Sequence, residues 1–467
     1  MEKTREERDS LGTVLVPEDA YYGAQTQRAL ENFPISNLRF PRRFIQALGL
    51  IKQSAAVVNE DLGLLDEKIS GAIQQAAQKL IDGDLDDQMV LDIFQTGSGT
   101  STNMNANEVI ANYAAEILGK VRGEKAVHPN DHVNMSQSSN DVIPSAMHIA
   151  AKMAIEEDLI PAMTNFQEAL EGKAEEFDDV VKSGRTHLMD ATPIRLGQEF
   201  GGYAREAELM RQRLQVASNE LSELALGGTA TGTGINCPKQ FPGKVIERLS
   251  EITGYEFFEA KNHFEAQAAK DAYVSTAGTL NTIAAAFMKV ANDIRWLSSG
   301  PVGGIAEIKL PAIQPGSSIM PGKVNPVMSE SMMQVCAKVM GNVTTVTVAA
   351  QQGNFQLNVM MPVMTHAVLE SIDILSHVFD AFRANCLDGI EVDRERCQEL
   401  LELNPSIATA LNRAIGYDQA SKVAKKAAAE KKPVTQVVKE MGLLSEEELE
   451  KALDVRAMTE PGIPGEE

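Results

Sequence analysis

The feature that most constrains the fold is a long, regular apolar pattern between Lys270 and Leu297. Its apolar positions alternate spacings of three and four residues, which is typical of a helix packed in a bundle. The seam consists of Ala277, Leu280, Ala284, Phe287, Ala291 and Ile294, and a neighbouring face carries Ile283, Val290 and Leu297. Because both faces are apolar, we expect this helix to be buried on more than one side.

Similar spacing predicts long helices from Pro144 to about Phe382, including one over about 329–351 with an apolar stripe. Its members are Met332, Val335, Val339, Val346 and Ala349. The stretch from Arg43 to Asp82 is also helical in pattern and ends at Gly83. Because helices with two apolar faces need partners beyond their own chain, the pattern predicts a helical oligomer.

The pattern divides the chain into three predicted domains. Residues 1–137 mix loops with helices, residues 138–391 form a central helical bundle, and residues 392–467 form a small, more polar helical domain. The Pro/Gly/Glu end of the last domain predicts a frayed terminus. The fold class is therefore predicted to be mainly α.

Composition excludes several classes of protein. With 43% hydrophobic and 23% charged residues the chain is typical of a globular protein, and no apolar run approaches the ~20 residues that cross a bilayer. The charged start MEKTREERDSLG does not resemble a signal peptide, so we expect a cytoplasmic protein. A net charge of −22 argues against nucleic-acid binding, because such a surface repels phosphates.

Cysteine and histidine spacing gives no indication of a metal site. The four cysteines form no CxxC pair, and the seven histidines form no HExxH motif. We therefore expect free, buried thiols and no metal or other cofactor. The cysteines are Cys237, Cys336, Cys386 and Cys397.

Four polar stretches interrupt the helical pattern. They are Gln95–Asn103 (QTGSGTSTN), His128–Asp141 (HPNDHVNMSQSSND), Ser183–Asp190 (SGRTHLMD) and Gly316–Pro326 (GSSIMPGKVNP). Together they supply hydroxyls, amides, backbone N–H groups, one lysine and one arginine, which are the groups that bind a small dicarboxylate. The sequence therefore predicts an anion-binding site made from separated stretches.

Each stretch also has a purely structural interpretation. Ser138 to Asn140 could cap the helix that contains Pro144, and His187 could be a structural histidine. Glu330 lies in the first turn of a predicted helix, where the helix dipole favours a carboxylate. Gly316 to Lys323 has five residues between its glycines and Val324 in place of the Mg²⁺-binding hydroxyl, which excludes a nucleotide-binding loop.

The four stretches, in this order, resemble the fumarase/aspartase superfamily. The sequence GSSIMPGKVNP is similar to the signature of that superfamily. The resemblance extends over Thr4–Gly12, Phe94–Asn112, Val127–Asp141, Ser183–Phe200, Leu226–Gly234 and Val290–Pro301. It implies a three-domain, mainly α fold whose central five-helix bundle assembles in four copies into a core of twenty helices. Each active site of such a homotetramer draws on three subunits.

Of the two branches of the superfamily, the resemblance favours the fumarases over the aspartases. Thr186-His187, Gly322 and the Ser-Ser-Asn of 138–140 resemble class II fumarases, whereas Val327 and residues 344–346 lean toward aspartases. The fumarase branch implies reversible anti hydration of fumarate to (S)-malate in the tricarboxylic acid cycle, and the alternative is an aspartate ammonia-lyase. A catalytically silent oligomer is a further alternative, which the complete set of site residues disfavours.

The resemblance implies specific roles. Ser317 would take the C3 proton of malate, Lys323 would stabilise the resulting carbanion, and His187, partnered by Glu330, would handle the water. The residues implied in substrate binding are Ser98, Gly99, Thr100, Ser138, Ser139, Asn140, Thr186, Thr233, Ser318, Val324 and Asn325.

A second, non-catalytic dicarboxylate site is also implied by the resemblance. Its residues would be Lys125, His128, Pro129, Asn130 and Asp131. Lys125 stands where many members of the family have an arginine, which keeps the charge but not the bidentate guanidinium.

Overall fold

A computed structural model of the chain describes residues 3–462, and it confirms a mainly α fold. The predicted frayed end at residues 463–467 lies outside that range. The described chain forms two compact units. Unit 1 contains residues up to 161, 212–285 and 335–376, and unit 2 contains residues 162–211, 286–334 and 377 onward. The predicted division into three domains stays a prediction.

The chain begins with a two-stranded antiparallel hairpin, which the sequence did not indicate. Strands β1 (Thr4–Asp9) and β2 (Gly12–Pro17) pair from Thr4↔Pro17 to Asp9↔Gly12. Four helices follow in unit 1. They are α1 (Ala24–Asn32), α2 (Arg42–Asp61), α3 (Glu67–Asp82) and α4 (Thr100–Ile117).

The predicted helical stretch 43–82 consists of two helices, α2 and α3. Helix α2 ends at Asp61, Gly63 takes a positive φ of 71°, and Asp66 caps α3 by accepting hydrogen bonds from two backbone N–H groups. The predicted end at Gly83 is confirmed, because this residue closes α3 in the left-handed conformation that glycine adopts most readily.

Long helices dominate the middle of the chain, as predicted. Helix α10 covers the 270–297 pattern and α11 covers the 329–351 pattern to within two residues. The helices in this region are α5 (Ser139–Ala154), α6 (Ile160–Glu176), α7 (Leu196–Glu220), α8 (Phe241–Thr253), α9 (His263–Ala268), α10 (Asp271–Leu297), α11 (Val327–Ala350) and α12 (Met361–Asn385). A π-helical turn at Ile155–Leu159 joins α5 to α6.

Short strands connect these helices. Antiparallel pairs join β3 (Val181–Thr186) to β4 (Met189–Arg195) and β8 (Gly353–Asn354) to β9 (Leu357–Asn358). Strands β5 (Glu223–Leu224) and β6 (Phe258–Glu259) pair in parallel, and β7 (Ile308–Lys309) pairs antiparallel with β10 (Glu391–Val392).

The core of unit 1 forms where α2 packs against α3, α5 and α8. The buried side chains of α2 include Phe44, Leu48 and Ile51. Small residues such as Ala76 and Ala77 of α3 are also fully buried, so the helices approach closely. This scaffold fixes the N-terminal ends of α4 and α5, which carry two of the polar stretches.

Unit 2 has an aromatic core. Phe166 of α6, Phe287 of α10 and Phe379 of α12 lie with their ring centroids 4.8–5.5 Å apart. Edge-to-face and tilted contacts of this kind add to the free energy gained by burying the rings.

Five further helices follow β10, all within unit 2, as the predicted helical tail requires. They are α13 (Arg394–Glu402), α14 (Asn412–Ile415), α15 (Tyr417–Glu430), α16 (Val434–Met441) and α17 (Glu446–Ala452). Val423, Val437 and Leu449 form part of their shared apolar cluster.

All four cysteines are free thiols, and three of them are buried. The prediction of free thiols is therefore confirmed. Burial raises the pKa of the Cys336 thiol to about 12, so it stays protonated and unreactive at neutral pH. Within residues 3–462, every helix falls short of the length or hydropathy that would let it traverse a bilayer.

Candidate active site

The polar stretch 95–103 forms the start of α4. Gly99 is the N-cap residue, with a positive φ of 73°, and a Cβ there would lie 3.0 Å from the side chain of Ile143. Ser98 is buried, and its hydroxyl lies 2.8 Å from that of Thr100. Gly99 has no side chain to cap the helix, and the Gln95 side chain accepts the N–H of Thr102 at 3.0 Å. The other N–H groups of the first turn and the hydroxyls are suited to bind a carboxylate.

The stretch 128–141 ends as the N-terminus of α5. The Ser138 side chain accepts a hydrogen bond from the N–H of Asn140, while Asp141 accepts one from the N–H of Ser138. This is a capping box, so the structural interpretation of Ser138 is confirmed. It does not exclude binding, because the amide of Asn140 and the hydroxyl of Ser139 lie on the same turn.

A buried network of polar side chains holds the turn at the start of α5. The ammonium of Lys52 donates to Asn134 at 2.9 Å and to Gln137 at 3.0 Å, and Asn103 donates to Ser139 at 3.1 Å. Burial lowers the pKa of Lys52 to about 7. Asn103 of α4 therefore holds Ser139 directly, and Lys52 of α2 holds the residues that precede it.

A glycine-rich loop over 226–234 lies beside the same turn. Asn140 donates to the carbonyl of Ala230 at 2.8 Å. Ser138, Ser139 and Ala230 all line one cavity of about 340 Å³. Thr233 lies on this loop with an exposed side chain, so the structure brings the loop of Thr233 close to residues 138–140.

The stretch 183–190 is a hairpin that presents His187 at its tip. Thr186 pairs with Met189, and the two residues between them, His187 and Leu188, have φ values of 58° and 61°. Positive φ at both central positions defines a type I′ turn, which matches the twist of a two-residue hairpin. Both Thr186 and His187 are exposed in the single chain.

Arg185, which the sequence offered as a cation for the substrate, is instead engaged within unit 2. Its guanidinium makes two hydrogen bonds of 2.8 and 2.9 Å to the fully buried Glu307, which also pairs with the buried Lys182. Burial opposes the charge of Arg185, but the hydrogen bonds to Glu307 outweigh it and raise the pKa of the guanidinium. These hydrogen bonds anchor β3, and a contact of Arg185 with a dicarboxylate stays a prediction.

The stretch 316–326 is a loop before α11. The N–H of Gly316 donates to the carbonyl of Lys323 at 2.9 Å, and the Asn325 side chain donates to the carbonyl of Gly316 at 2.6 Å. A Cβ at position 316 would lie 2.3 Å from the Lys323 carbonyl oxygen, so this position requires glycine. Ser318, Lys323 and Val324 are exposed on the loop.

The hydroxyl of Ser317 has a distinctive environment. It accepts hydrogen bonds from the N–H groups of Ile319 at 3.2 Å and Met320 at 3.1 Å. Donors aimed at an oxygen stabilise negative charge that develops on it.

Glu330 lies in the first turn of α11 and is exposed. Within the described part of the single chain, no hydrogen bond joins Glu330 to His187. Their partnership therefore stays a prediction.

Four residues of the second predicted site, Lys125, His128, Pro129 and Asn130, help to line a cavity of about 760 Å³ in unit 1, and Asp131 is not among the lining residues. The ring of His128 accepts hydrogen bonds from the N–H groups of Asn130 and Asp131, and Lys125 donates to the carbonyl of Arg8 at 2.7 Å. Acidic side chains also line this cavity: Glu6, Glu7, Asp9, Glu108 and Glu124. These carboxylates weaken the attraction of the cavity for a dianion.

Comparison with known proteins identifies the family. A family model described as Lyase matches residues 12–341, and one described as Fumarase C C-terminus matches residues 407–460. A protein of Halobacterium salinarum named Fumarate hydratase class II is 53% identical, with 99% of this chain and 98% of that protein covered. The chain belongs to the class II fumarate hydratase family. The superfamily resemblance is thereby confirmed, and the family favours the fumarase branch over the aspartase branch.

Further class II fumarate hydratases support this assignment. The protein of that name from Thermus thermophilus is 50% identical over 98% of each chain. The crystal structure of a class II fumarase from Schistosoma mansoni matches with a TM-score of 0.95 and 38% identity, over 98% of this chain and 100% of that chain. The fumarase-like fold therefore extends over nearly the whole chain.

Sequence reasoning missed the buried residues that hold the loops of this fumarate hydratase family member. Lys52, Asp141, Gln267 and Glu307 are buried and bond to site-bearing segments. One signal was present, because the Ser138–Asp141 spacing is that of a capping box. The partners of Lys52 and Glu307 lie about a hundred residues away, so no local pattern indicates them.

Proposed function

We propose that this chain catalyses the reversible anti hydration of fumarate to (S)-malate, as a step of the tricarboxylic acid cycle. The observation that carries the proposal is the 316–326 loop, in which two N–H groups point at Ser317, in a chain of the class II fumarate hydratase family. The alternative branch, aspartate ammonia-lyase, has no comparable support.

Ser317 is the proposed base in the malate-to-fumarate direction. Its alkoxide accepts the C3 proton of malate, and the electron pair left on C3 is delocalised into the neighbouring carboxylate. The N–H groups of Ile319 and Met320 favour the alkoxide beforehand. Exclusion of water by the bound substrate would strengthen these hydrogen bonds further.

Lys323 and Asn325 are the proposed clamp for the charge that develops on that carboxylate. A cation and an amide donor aimed at the aci-carboxylate lower the barrier as donors in an oxyanion hole do. Both residues lie on the loop of Ser317, with Ser318 and Val324 as further substrate contacts, so one segment supplies the base and the stabilising charge.

The remaining predicted contacts orient the two carboxylates of the substrate. The N-terminus of α4 presents N–H groups and hydroxyls, which is the arrangement that binds anions at helix ends. The capped start of α5 presents hydroxyl and amide side chains instead. The residues proposed for this role are Ser98, Gly99, Thr100, Ser138, Ser139, Asn140, Thr186 and Thr233.

His187 is the proposed acid that protonates the departing hydroxyl, or the base that takes a proton from water in the reverse direction. Glu330 would partner its imidazole. A base on one face of the substrate and an acid on the other give anti stereochemistry.

His187→Asn is expected to lower turnover by about 10²-fold or more, because an amide cannot transfer a proton at neutral pH. Asparagine tolerates the positive φ of 58° at this position, so the hairpin should persist. Steady-state kinetics with malate would measure the change, and Leu188→Asn on the same turn is the matched control. An unaltered rate for His187→Asn would make the histidine structural.

The reaction itself is tested by offering malate and aspartate separately and following the absorbance of fumarate. We expect fumarate from malate only. Fumarate from aspartate alone would support the ammonia-lyase branch, and no fumarate from either substrate would support a silent oligomer.

We also propose a homotetramer with active sites shared between subunits. In the single chain His187, Lys323 and Thr233 are exposed, whereas a dianion site needs enclosure. Helices α10 and α11 expose small residues, including Gly278, Thr282 and Gly341, which would allow helices of other copies to approach closely.

Two further assignments are proposals of the same kind. The four free cysteines fit a reducing compartment, so we infer a cytoplasmic location. The residues Lys125, His128, Pro129, Asn130 and Asp131 would form the second dicarboxylate site, which we expect to bind weakly because of its acidic lining.

A further inference from the structure

Asp141 occupies a buried junction between two of the polar segments in unit 1. Its side chain is fully buried. One carboxylate oxygen accepts the N–H of Ser138 at 2.9 Å, and the other accepts the N–H groups of Gly227 at 3.0 Å and Thr229 at 2.9 Å. A single carboxylate therefore bonds both the turn of Ser138–Asn140 and the loop of Thr233.

The loop depends on such anchors because its backbone is unusual. Thr229 has a positive φ of 52°, and Gly227 has one of 103°. A Cβ at Gly227 would lie 2.3 Å from the ring of Pro242. Conformations of this kind persist only where surrounding contacts determine them.

A second buried side chain holds the same loop from another direction. Gln267 is fully buried and donates to the carbonyl of Thr229 at 2.7 Å. The peptide groups of Thr229 are thus bonded on the N–H side by Asp141 and on the carbonyl side by Gln267. Burial raises the pKa of Asp141, although its three N–H donors and the charge of Lys52 oppose the shift.

We infer that Asp141 is a positioning residue for substrate binding, which couples Ser138–Asn140 to the Thr233 loop, and that Gln267 assists it. This inference rests on the proposed function, since it assigns the two segments to one substrate-binding surface. Asp141 does not touch the substrate. It acts through the residues it holds, so its loss should weaken binding more than it slows the chemical steps.

Asp141→Asn is the decisive variant, because it keeps the shape of the side chain. Asparagine has one acceptor oxygen, so it can bond the helix turn or the loop, but its NH₂ group repels the remaining N–H donors. We expect KM for malate to rise about tenfold or more, with a smaller change in kcat. Hydrogen exchange should become faster at the N–H groups of Ser138, Gly227 and Thr229.

Two control variants separate positioning from stability. Asp66→Asn makes the same chemical change at the cap of α3, and Val437→Ala destabilises the buried cluster of the C-terminal helices. Both should leave KM unchanged. A normal KM for Asp141→Asn, with the loss of stability alone, would overturn the inference.

Gln267→Met decides the question if Asp141→Asn does not fold. We expect faster exchange at residues 227–234 and a raised KM, and an unchanged KM despite faster exchange would overturn the inference. Failure of the proposed function can be distinguished from failure of this inference. If the proposed function is wrong, the wild-type protein will be inactive on malate. The exchange measurement will still report whether Asp141 couples the two segments.

Discussion

Ser317→Ala is expected to lower turnover on malate by about 10³-fold or more while the protein folds and assembles normally. The alanine removes the proposed proton acceptor, and the N–H groups of Ile319 and Met320 are left without their oxygen. The measurement is kcat by steady-state kinetics, with circular dichroism and size-exclusion chromatography to show that the fold is intact.

Ser318→Ala is the matched control for that substitution, since it makes the same change one residue later. Ser318 is exposed and is proposed to contact substrate without accepting the proton. Its loss should raise KM and leave kcat within about tenfold. If both variants kept near-normal turnover, Ser317 would not be the base. If Ser318→Ala alone abolished turnover, the two roles would be exchanged.

Glu307→Gln is expected to destabilise the protein by about 3 kcal/mol or more, as is usual when one partner is removed from a buried ion pair. Glu307 is completely buried between Lys182, which is 1% exposed, and Arg185, which is 15% exposed. Glutamine fits the same space but leaves two cations with less compensating charge. Urea-induced unfolding at neutral pH would measure the change.

The control for this second prediction is Glu446→Gln, which removes one partner of the exposed pair between Lys439 and Glu446. Solvent screens a fully exposed pair, so little change is expected. Equal effects of the two substitutions would show that the Glu307 cluster contributes no more than a surface pair. Because Arg185 immediately precedes Thr186 and His187, we also expect Glu307→Gln to reduce turnover.

The long helices could be predicted from the sequence because their periodicity is regular. The alternation in 270–297 predicts the bounds of α10 to within one residue. Every residue of the predicted seam is buried. The 43–82 stretch shows the limit of periodicity, because the apolar pattern continues across the turn that contains Gly63. Gly63 and the capping Asp66 were the local signals of that break.

The hairpins could not be predicted in the same way. Strands β1 and β2 carry many charged or exposed side chains, so no clear apolar alternation marks them. The β3–β4 hairpin turns through His187 and Leu188, neither of which is a usual residue for a type I′ turn. Its geometry depends on contacts from later parts of unit 2, such as the hydrogen bond from Asn404 to Ser183.

The polar stretches of the candidate site were recognisable from composition and resemblance, but the roles of individual charges were not. Arg185 reads as a substrate cation beside Thr186 and His187, yet its partner Glu307 lies 122 positions later in the chain. Asp141 ends a polar stretch, and its bonds to Gly227 and Thr229 depend on a loop 86 to 88 residues away. Such pairings arise only when the helices are packed.

The left-handed backbone of His187 has a consequence for mutagenesis. A substitution scan at this position would report two properties together, the proton-transfer chemistry of each side chain and its tolerance of a φ of 58°. Valine, isoleucine and threonine would distort the tip of the hairpin as well as remove the imidazole. Only asparagine, aspartate and glycine would isolate the chemical contribution, so inactive β-branched variants would carry no information about mechanism.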